Sequence, residues 1–219
     1  MKNFLRRILD FVFVRRCVVC GALVKVSDKI NICNRCEKKL ERLGQTRIVS
    51  GNIIVSPLPY VKHVRKAMIK FKFRNKKYYG YTFANLIHRR LMEFEWYPDI
   101  QCIVCVPMKN RKRAYNQSAV IAENLSDFMK VPFDEGALYK VKDNPPFYKL
   151  KRAERLKLIR GAFEAGNTEH FNGKTVLLID DIYTTGVTAD EAMRILLLNG
   201  ASKVYCATAC HGINLQLKL

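Results

Sequence analysis

The sequence contains no acidic residue from Arg42 to Met92, although twelve lysines and arginines fall in that stretch. Over the whole chain, 39 Lys and Arg stand against 19 Asp and Glu, which gives a formal net charge of +20. Such an imbalance produces a sustained positive potential that attracts polyanions. Solubility alone would not require so long an acid-free stretch. We therefore expect contact with nucleic acid, with anionic lipid and phosphorylated small molecules as the alternatives.

The sequence also lacks long apolar runs, internal repeats and low-complexity tracts. The absence of any uncharged apolar run of about eighteen residues or more excludes a membrane-spanning helix on sequence grounds. The apolar run Phe11 to Val14 follows Asp10 and precedes no small-residue cleavage site, so an export signal is not expected. We predict a soluble, cytoplasmic protein with a short helix within Met1 to Arg16, and with peripheral contact to the inner membrane as the alternative.

Short apolar runs alternate with polar turns and amphipathic segments in the C-terminal half of the chain. Strands are predicted at Ile100 to Val106, Thr175 to Ile179 and Lys203 to Ala209, and helices at about 116–130 and 188–199. Buried strands that alternate with amphipathic helices indicate an α/β fold with a parallel sheet covered by helices on both faces. Ligands of such sheets bind at the carboxyl ends of the strands.

Four cysteines near the N-terminus form two C-x2-C pairs separated by twelve residues, namely Cys17, Cys20, Cys33 and Cys36. Each pair can present two thiolates in one tight turn, and the intervening residues suffice for a hairpin that brings the pairs together. Four thiolates make a closed structural Zn²⁺ site with no open position for catalysis. Cys102 and Cys105 have the same spacing, but they lie in a predicted strand, where residues three apart face opposite ways. We expect these two to be core residues.

A candidate phosphate and ribose site follows the strand predicted at Thr175 to Ile179. It comprises two carboxylates and a turn rich in hydroxyl groups, namely Asp180, Asp181, Thr184, Thr185, Gly186, Val187 and Thr188. Gly186 permits a tight turn, and a helix expected to begin near Thr188, with Thr188 as its possible cap, supplies N–H groups for one phosphate. Asp180 and Asp181 would repel that phosphate, so they are expected to bind a ribose cis-diol or Mg²⁺. An ordinary turn with capping threonines would not explain two consecutive acids in so basic a chain.

Basic segments supply the remaining candidate contacts. A loop after the strand at Ile100 to Val106 carries cations that would neutralise a pyrophosphate, namely Lys109, Arg111 and Arg113, with a solvated charge run as the alternative. The candidate DNA contacts are Lys66, Lys70, Lys72, Arg74, Lys76, Lys77, Lys149, Lys151, Arg152 and Arg155. Rings are interleaved with the first six, namely Phe71, Phe73, Tyr78, Tyr79 and Tyr81. Cations that bind phosphates, together with rings that stack on unpaired bases, suit the binding of single-stranded DNA regardless of its sequence. Burial in the core is the alternative for part of these rings.

The string from Asp180 to Thr188, with the apolar residues before it, resembles the signature of the type I phosphoribosyltransferases. The matching features are four apolar residues, two acids, two intervening residues, Thr-Thr-Gly and a further Thr. The resemblance implies a site for phosphoribosyl pyrophosphate (PRPP), in which Asp180 and Asp181 hold the ribose hydroxyls while Thr184 through Thr188 cradle the 5′-phosphate. It also implies that a loop after an earlier strand holds the pyrophosphate.

The four-cysteine module in front of this string is similar to the N-terminal part of the ComF family of competence proteins. Further matching pieces follow in the family's order, namely Val106-Pro107, Arg113 to Gln117, Arg155 and Gly161 to Phe163. The resemblance covers nearly the whole chain. It implies a role in natural transformation, where single-stranded DNA is handled in the cytoplasm after it has crossed the inner membrane. The inner-membrane DNA-uptake machinery is then an expected partner.

We accordingly predict an N-terminal helix and zinc ribbon at residues 1–44, followed by a type I phosphoribosyltransferase-like domain at 45–219. The leading function is a competence accessory protein that handles single-stranded DNA and has a site for PRPP, or a similar phosphorylated ribose, with Mg²⁺. One alternative is an active phosphoribosyltransferase that acts on an unidentified acceptor. Another is a non-catalytic regulator whose ligand alters its binding to DNA or to another protein.

Overall fold

The computed structural model describes residues 15–24, 30–39, 45–49, 52–108, 114–142 and 152–212. The helix predicted within Met1 to Arg16 lies almost wholly outside these ranges. Five candidate contact residues also lie outside them, namely Lys109, Arg111, Arg113, Lys149 and Lys151. No helix in the described ranges is both long and apolar enough to cross a membrane.

The elements follow one another mainly as strands alternating with helices. In chain order they are β1 (Arg15–Arg16), β2 (Leu23–Val24), α1 (Asn34–Glu37), β3 (Gln45–Val49), β4 (Asn52–Ser56), β5 (Leu58–Pro59), α2 (Lys62–Phe73), α3 (Tyr79–Leu91), β6 (Cys102–Cys105), α4 (Gln117–Met129), β7 (Phe133–Asp134), β8 (Leu138–Lys140), α5 (Arg152–Ile159), β9 (Phe163–Ala165), β10 (Thr175–Tyr183), α6 (Val187–Leu198) and β11 (Lys203–His211). The predicted strands and helices of the C-terminal half are all present, and Arg152 and Arg155 lie in α5.

The central sheet has the strand order β3-β4-β11-β10-β6-β7, and β5 pairs with the end of β11. β3 and β4 are antiparallel, whereas the other pairs are parallel. The predicted α/β class with a parallel sheet is confirmed. Because β6, β10 and β11 run in the same direction, their carboxyl ends meet at one edge, which is where ligands of such sheets bind.

The side chains of β10 alternate between two buried clusters on opposite faces of the sheet. Leu177 and Ile179 belong to the cluster that includes side chains of α2, α3 and α4. Val176 and Leu178 belong to the cluster that includes side chains of α5 and α6. Helices therefore cover both faces, as the continuous apolar sequence of this strand predicts.

The pair Cys102 and Cys105 on β6 shows the same alternation. Both thiols are buried, but Cys102 belongs to the α5–α6 cluster and Cys105 to the α2–α4 cluster. Two thiols on opposite faces of a strand cannot share one ion. The prediction that this C-x2-C pair is part of the core is confirmed.

The basic region from Lys62 to Met92 forms two helices rather than one. α2 buries Val64, Ala67, Met68 and Phe71, a spacing that places all four on one face. α2 ends before Asn75, whose φ of 50° is a left-handed conformation that Asn adopts more readily than most residues.

The four-cysteine ribbon packs against α2 and α3. Cys17, Val18 and Ile32 belong to the same buried cluster as side chains of both helices. The backbone N–H and the side-chain Nδ2 of Asn31 each donate to Thr82 Oγ1 at 3.0 Å. The ribbon is thus held to the sheet domain by buried apolar and polar contacts. The predicted domain boundary after residue 44 remains a prediction.

Candidate functional site

The turn between β10 and α6 contains the predicted phosphate contacts. Gly186 is the N-cap residue of α6 and has a φ of 82°. The first intrahelical hydrogen bond runs from the Asp190 N–H to the Gly186 carbonyl oxygen at 2.8 Å. The N–H groups of Val187 and its next neighbours therefore have no acceptor within the helix, and they face the turn. A helix N-terminus of this kind favours a phosphate. The suggestion that Thr188 caps the helix is wrong, because α6 begins at Val187 and Thr188 lies inside its first turn.

Glycine is required at the head of this turn for two independent reasons. The positive φ of Gly186 is unfavourable for any residue with a β-carbon. In addition, a β-carbon there would lie 2.2 Å from the Tyr183 hydroxyl oxygen and 3.2 Å from an Asp190 carboxylate oxygen. Tyr183 is buried, so it has little room to move away.

We expect Gly186→Ala to lower the free energy of unfolding by about 2–4 kcal/mol, which combines backbone strain with overpacking. Gly173→Ala is a matched control, because Gly173 has a φ of 69° but a β-carbon there would meet nothing within 4 Å. The control should therefore lose only about 1 kcal/mol, from backbone strain alone. Chemical denaturation of both variants measures the difference. Equal losses would show that the contact with Tyr183 does not matter.

The two consecutive carboxylates lie within β10, which continues beyond the predicted end at Ile179 to Tyr183. Asp180 Oδ1 accepts hydrogen bonds from Ser118 Oγ at 3.2 Å and from the Asp181 N–H at 2.8 Å. Burial raises the pKa of Asp180 to about 7, and the neighbouring Asp181 carboxylate contributes to the same shift. A partly buried carboxyl group whose pKa is raised in this way is typical of a functional site.

Asp181 forms an ion pair with a residue of the basic helix. Lys72 Nζ lies 2.6 Å from Asp181 Oδ2, and each side chain is only 15% exposed. Lys72 was grouped with the surface cations from its sequence context, but the structure places its ammonium group at the carboxyl edge of the sheet. A ribose hydroxyl or a metal ion at the same carboxylate oxygen would have to displace this ammonium group.

The site offers two kinds of polar group. The N-terminus of α6 and its hydroxyl-bearing turn suit one phosphate, while Asp180 and Asp181 offer oxygen acceptors that suit a cis-diol. Carboxylate oxygens are also the donor type that Mg²⁺ prefers, although Asp181 is paired with Lys72 in this structure. Bound Mg²⁺ would supply positive charge to neutralise a pyrophosphate.

The loop predicted to hold a pyrophosphate is anchored at both ends beside these carboxylates. The Val106 N–H donates to the Ile179 carbonyl oxygen at 2.9 Å, and Asn116 Nδ2 donates to the Val106 carbonyl oxygen at 3.0 Å. Asn116 also accepts a hydrogen bond from the Ser118 N–H at 3.1 Å and so caps α4. The roles predicted for the cations between these anchors remain predictions.

The four ribbon cysteines come together as the spacing predicts. The Sγ atoms of Cys17, Cys20, Cys33 and Cys36 all lie within 4.8 Å of one another. The sulfur atoms of Cys20 and Cys33 are 3.6 Å apart. Zn–S bonds of about 2.3 Å in a tetrahedral site place the sulfurs roughly 3.8 Å apart, so the four thiols are close enough to hold one Zn²⁺ after small adjustments.

The predicted DNA contacts of the acid-free stretch are mostly exposed. Lys66, Lys70, Arg74, Lys76 and Lys77 are exposed on α2 and on the turn that follows it, and α2 has no acidic residue in its first turn or elsewhere. These cations can therefore contact a polyanion. Lys72 differs from them because of its ion pair with Asp181.

The rings interleaved with these cations divide into buried and exposed ones. Phe71 and Tyr79 are buried core residues, and Tyr81 packs edge-on against Phe128 with the ring centroids 5.1 Å apart. Phe73 is 62% exposed and Tyr78 is 37% exposed. Only the latter two present much surface to a base, so core burial is the correct interpretation for Phe71 and Tyr79.

Sequence reasoning missed two residues at the carboxylate pair, Ser118 and Lys72. Ser118 follows the matched segment Arg113 to Gln117 directly, and that adjacency was the one available signal. Lys72 gave no signal, because lysines surround it on the same helix. Its contact with Asp181 joins residues more than a hundred positions apart in the chain.

Residues 78–218 match the family model of the phosphoribosyl transferase domain. Competence protein F of Haemophilus influenzae is 23% identical over 199 residues, with 85% of this chain and 87% of that protein covered. The DNA utilization protein YhgH of Salmonella typhimurium is 25% identical, covering 81% of this chain and 77% of that protein. Competence protein ComFC of Bacillus subtilis is 28% identical over 193 residues, covering 84% and 72%.

Among solved structures, the chain is similar to adenine phosphoribosyltransferase from Leishmania tarentolae. The TM-score is 0.45 at 11% identity, with 80% of this chain and 97% of that chain covered. The adenine phosphoribosyltransferase of Saccharomyces cerevisiae gives a TM-score of 0.42 at 16% identity, covering 82% of this chain and 89% of that chain.

Proposed function

We propose that this chain, which belongs to the phosphoribosyl transferase domain family, is a competence accessory protein. In this proposal it binds single-stranded DNA and retains a site for PRPP or a similar phosphorylated ribose. The competence role is supported by relatives that are named competence or DNA utilization proteins and that match most of the chain. Those relatives, and not the fold alone, connect this chain to DNA.

The ligand site is supported above all by the position of Asp180 and Asp181 beside the N-terminus of α6. One side of the site carries acceptors for hydroxyl groups, and the other carries donors for a phosphate. A ligand that satisfies both has a phosphate and a diol on the same sugar. The partly buried carboxyl of Asp180 would be costly to retain without such a ligand, because withdrawing a charge from water is unfavourable.

The DNA interaction is supported by the charge on α2 and its following turn. Five exposed cations follow one another along α2 and the segment after it, namely Lys66, Lys70, Arg74, Lys76 and Lys77. The two exposed rings of this region, Phe73 and Tyr78, suit stacking with unpaired bases. These features favour single strands, whose bases are available for stacking, over duplex DNA.

Ligand sensing is a second candidate function, and the Lys72–Asp181 ion pair favours it. α2 carries exposed cations on its surface and directs Lys72 into the ligand site. A ribose diol or Mg²⁺ at Asp181 would compete with Lys72 for the same carboxylate. Release of Lys72 would add one cation to the basic surface, so ligand and DNA binding would be linked reciprocally.

The test is DNA binding by the wild type and by the Asp180→Ala/Asp181→Ala double variant, with and without PRPP and Mg²⁺. Affinity of the wild type for an oligothymidylate should fall with salt along a log–log slope of about −3 to −4, since five cations contact about five phosphates at about 0.7 each. PRPP should raise the DNA affinity of the wild type by about fivefold or more, because it releases Lys72, and it should leave the affinity of the double variant unchanged.

A nearly flat salt dependence would contradict DNA binding through these cations. Calorimetry on the same samples tests the ligand site, and absence of PRPP binding by the wild type would remove it. PRPP binding without any change in DNA affinity would exclude the sensing role alone. Pyrophosphate release in the presence of DNA would identify a transferase instead.

A further inference from the structure

A cavity of about 240 Å³ lies between the four-cysteine ribbon and α2. We call it the ribbon cleft and define it by Arg16, His63, Lys66, Lys70 and Tyr79, which line it. It shares no lining residue with the pocket at the β10–α6 turn. The ribbon cleft is therefore a separate concavity, formed where two parts of the chain meet.

The polar side chains in the ribbon cleft carry hydrogen-bond donors. Arg16 donates through one guanidinium nitrogen to the Gly21 carbonyl oxygen at 3.1 Å, and a guanidinium group has further N–H donors. Lys66 and Lys70 lie one helical turn apart on the same side of α2. Burial raises the pKa of Tyr79, so its hydroxyl group keeps its proton. No carboxylate is found among the described residues that line the cleft.

Cationic donors around a concavity whose described lining residues include no carboxylate are suited to a phosphate group. Charge-assisted hydrogen bonds from guanidinium and ammonium groups are the usual contacts of such a group. A volume of about 240 Å³ also leaves room for more of the ligand than the phosphate alone. The cleft thus has both the charge and the size for part of a nucleotide.

The first cysteine turn of the ribbon builds one wall of the cleft. The Cys17 N–H donates to the Ala22 carbonyl oxygen at 2.7 Å and the Gly21 N–H donates to the Cys17 carbonyl oxygen at 2.9 Å, which closes the first cysteine turn. Gly21 has a φ of 80°, and a β-carbon there would lie 2.4 Å from His63 Nδ1. The cysteine turn therefore lies directly against α2, and Arg16 is hydrogen-bonded to that turn.

An exposed ring lies beside the cleft. The Tyr78 ring centroid is 4.6 Å from that of Tyr79, and the Arg15 guanidinium lies 5.4 Å from the Tyr78 centroid. A partly exposed ring next to phosphate-binding cations is the arrangement that single-stranded nucleic acids use, because the base stacks while its phosphate is neutralised. An inorganic phosphate would make no use of the ring.

We propose that the ribbon cleft binds a phosphodiester of single-stranded DNA, with the phosphate between Arg16 and the Lys66 and Lys70 side of α2. This inference rests on the proposed DNA binding and assigns it a location. The ribbon then has a binding role in addition to a structural one, because it contributes one wall and one cation to the DNA surface.

The test compares two double variants that remove equal charge from α2. Lys66→Gln/Lys70→Gln changes the cleft, whereas Lys62→Gln/Arg65→Gln changes exposed residues of the same helix that do not line it. Binding is measured by fluorescence anisotropy with an oligothymidylate of about 20 nucleotides that lacks terminal phosphates. The cleft variant should bind about tenfold more weakly, with a salt slope smaller by about 1.4, and the control should change less than about threefold.

Ala67→Leu tests the same cleft without any change of charge. Ala67 lines the cavity, so a larger apolar side chain there reduces the space for a phosphate. DNA affinity should fall about fivefold or more, whereas zinc content and PRPP affinity should match those of the wild type. Unchanged DNA affinity in a variant that holds zinc normally would overturn the proposal.

The remaining outcomes separate the cleft from the proposed function. If both double variants weaken DNA binding equally, the effect is one of general charge and the cleft proposal fails, while DNA binding stands. If the wild type does not bind the oligothymidylate at low salt, the proposed function itself fails. If thymidine 5′-monophosphate or inorganic phosphate binds to the cleft without competing with the oligothymidylate, the ligand is a small phosphate and the proposal is overturned.

Discussion

Asp180→Asn is expected to be more stable than the wild type by about 2–4 kcal/mol near pH 8, and to lose most of its affinity for PRPP. Asparagine keeps the shape of the side chain, and its carbonyl oxygen can still accept hydrogen bonds from Ser118 and from the Asp181 N–H. The substitution removes a partly buried charge next to the Asp181 carboxylate. A residue that destabilises the ligand-free protein is typical of a binding site.

The pH dependence follows from the pKa of Asp180, which is about 7 in the folded protein against an ordinary value of 3.8. The folded protein therefore holds a proton on Asp180 that the unfolded chain has already released between about pH 4 and pH 7. Stability of the wild type should fall as the pH rises through this window. The advantage of Asp180→Asn should be absent below about pH 4 and complete above about pH 7.

Urea denaturation at several pH values measures this advantage, with Asp127→Asn as the control for loss of an exposed carboxylate. The control should show no comparable pH-dependent gain. Calorimetry with PRPP and Mg²⁺ near pH 8 should show about 100-fold weaker binding by Asp180→Asn, because an ionised acceptor of the diol is lost. Lower stability of Asp180→Asn at every pH would contradict the burial of a charged Asp180.

Loss of the zinc site has the second large expected effect. Cys36→Ser should abolish stoichiometric zinc binding and lower the free energy of unfolding by about 3–6 kcal/mol. The reason is that Val18 and Ile32 are buried against the sheet domain, and each contributes about 1.5–3 kcal/mol when buried. The ribbon strands are only two residues long, so they cannot keep these side chains in place without the metal.

The matched control for this substitution is Cys102→Ala, which removes a buried thiol outside the cluster. It should retain one zinc per chain, whereas Cys36→Ser should not. Metal analysis and thermal denaturation of the two variants measure the difference. If Cys36→Ser retained zinc and the wild-type melting temperature, the four-cysteine cluster would not be a structural metal site.

Local sequence patterns were sufficient wherever the decisive residues are neighbours in the chain. The spacing of the four ribbon cysteines predicted their cluster, and the alternation of strand residues predicted that Cys102 and Cys105 face opposite ways. The apolar run before Asp180 predicted a buried strand that ends at the candidate site. Each of these predictions depends on the geometry of one turn, strand or hairpin, which short segments encode directly.

Details that depend on packing were predicted less well. The turn before α6 was identified, but its N-cap residue is Gly186, because the positive φ and the contact with Tyr183 decide where the helix begins. Among the rings of the basic stretch, the pattern did not separate buried Phe71 and Tyr79 from exposed Phe73 and Tyr78. Burial depends on which face of a helix meets the sheet, and that face is set by the whole domain.

The α/β class, the cysteine cluster, the two carboxylates beside a hydroxyl-rich turn and the excess of positive charge can all be read from the amino-acid sequence. The pairing of Lys72 with Asp181, the contact of Ser118 with Asp180 and the cationic cleft between the ribbon and α2 are visible only in the folded chain. The difference lies in how far apart the contacting residues are in the chain. Contacts within a turn or strand repeat with a fixed period, whereas contacts between distant segments depend on how the helices and the ribbon pack on the sheet.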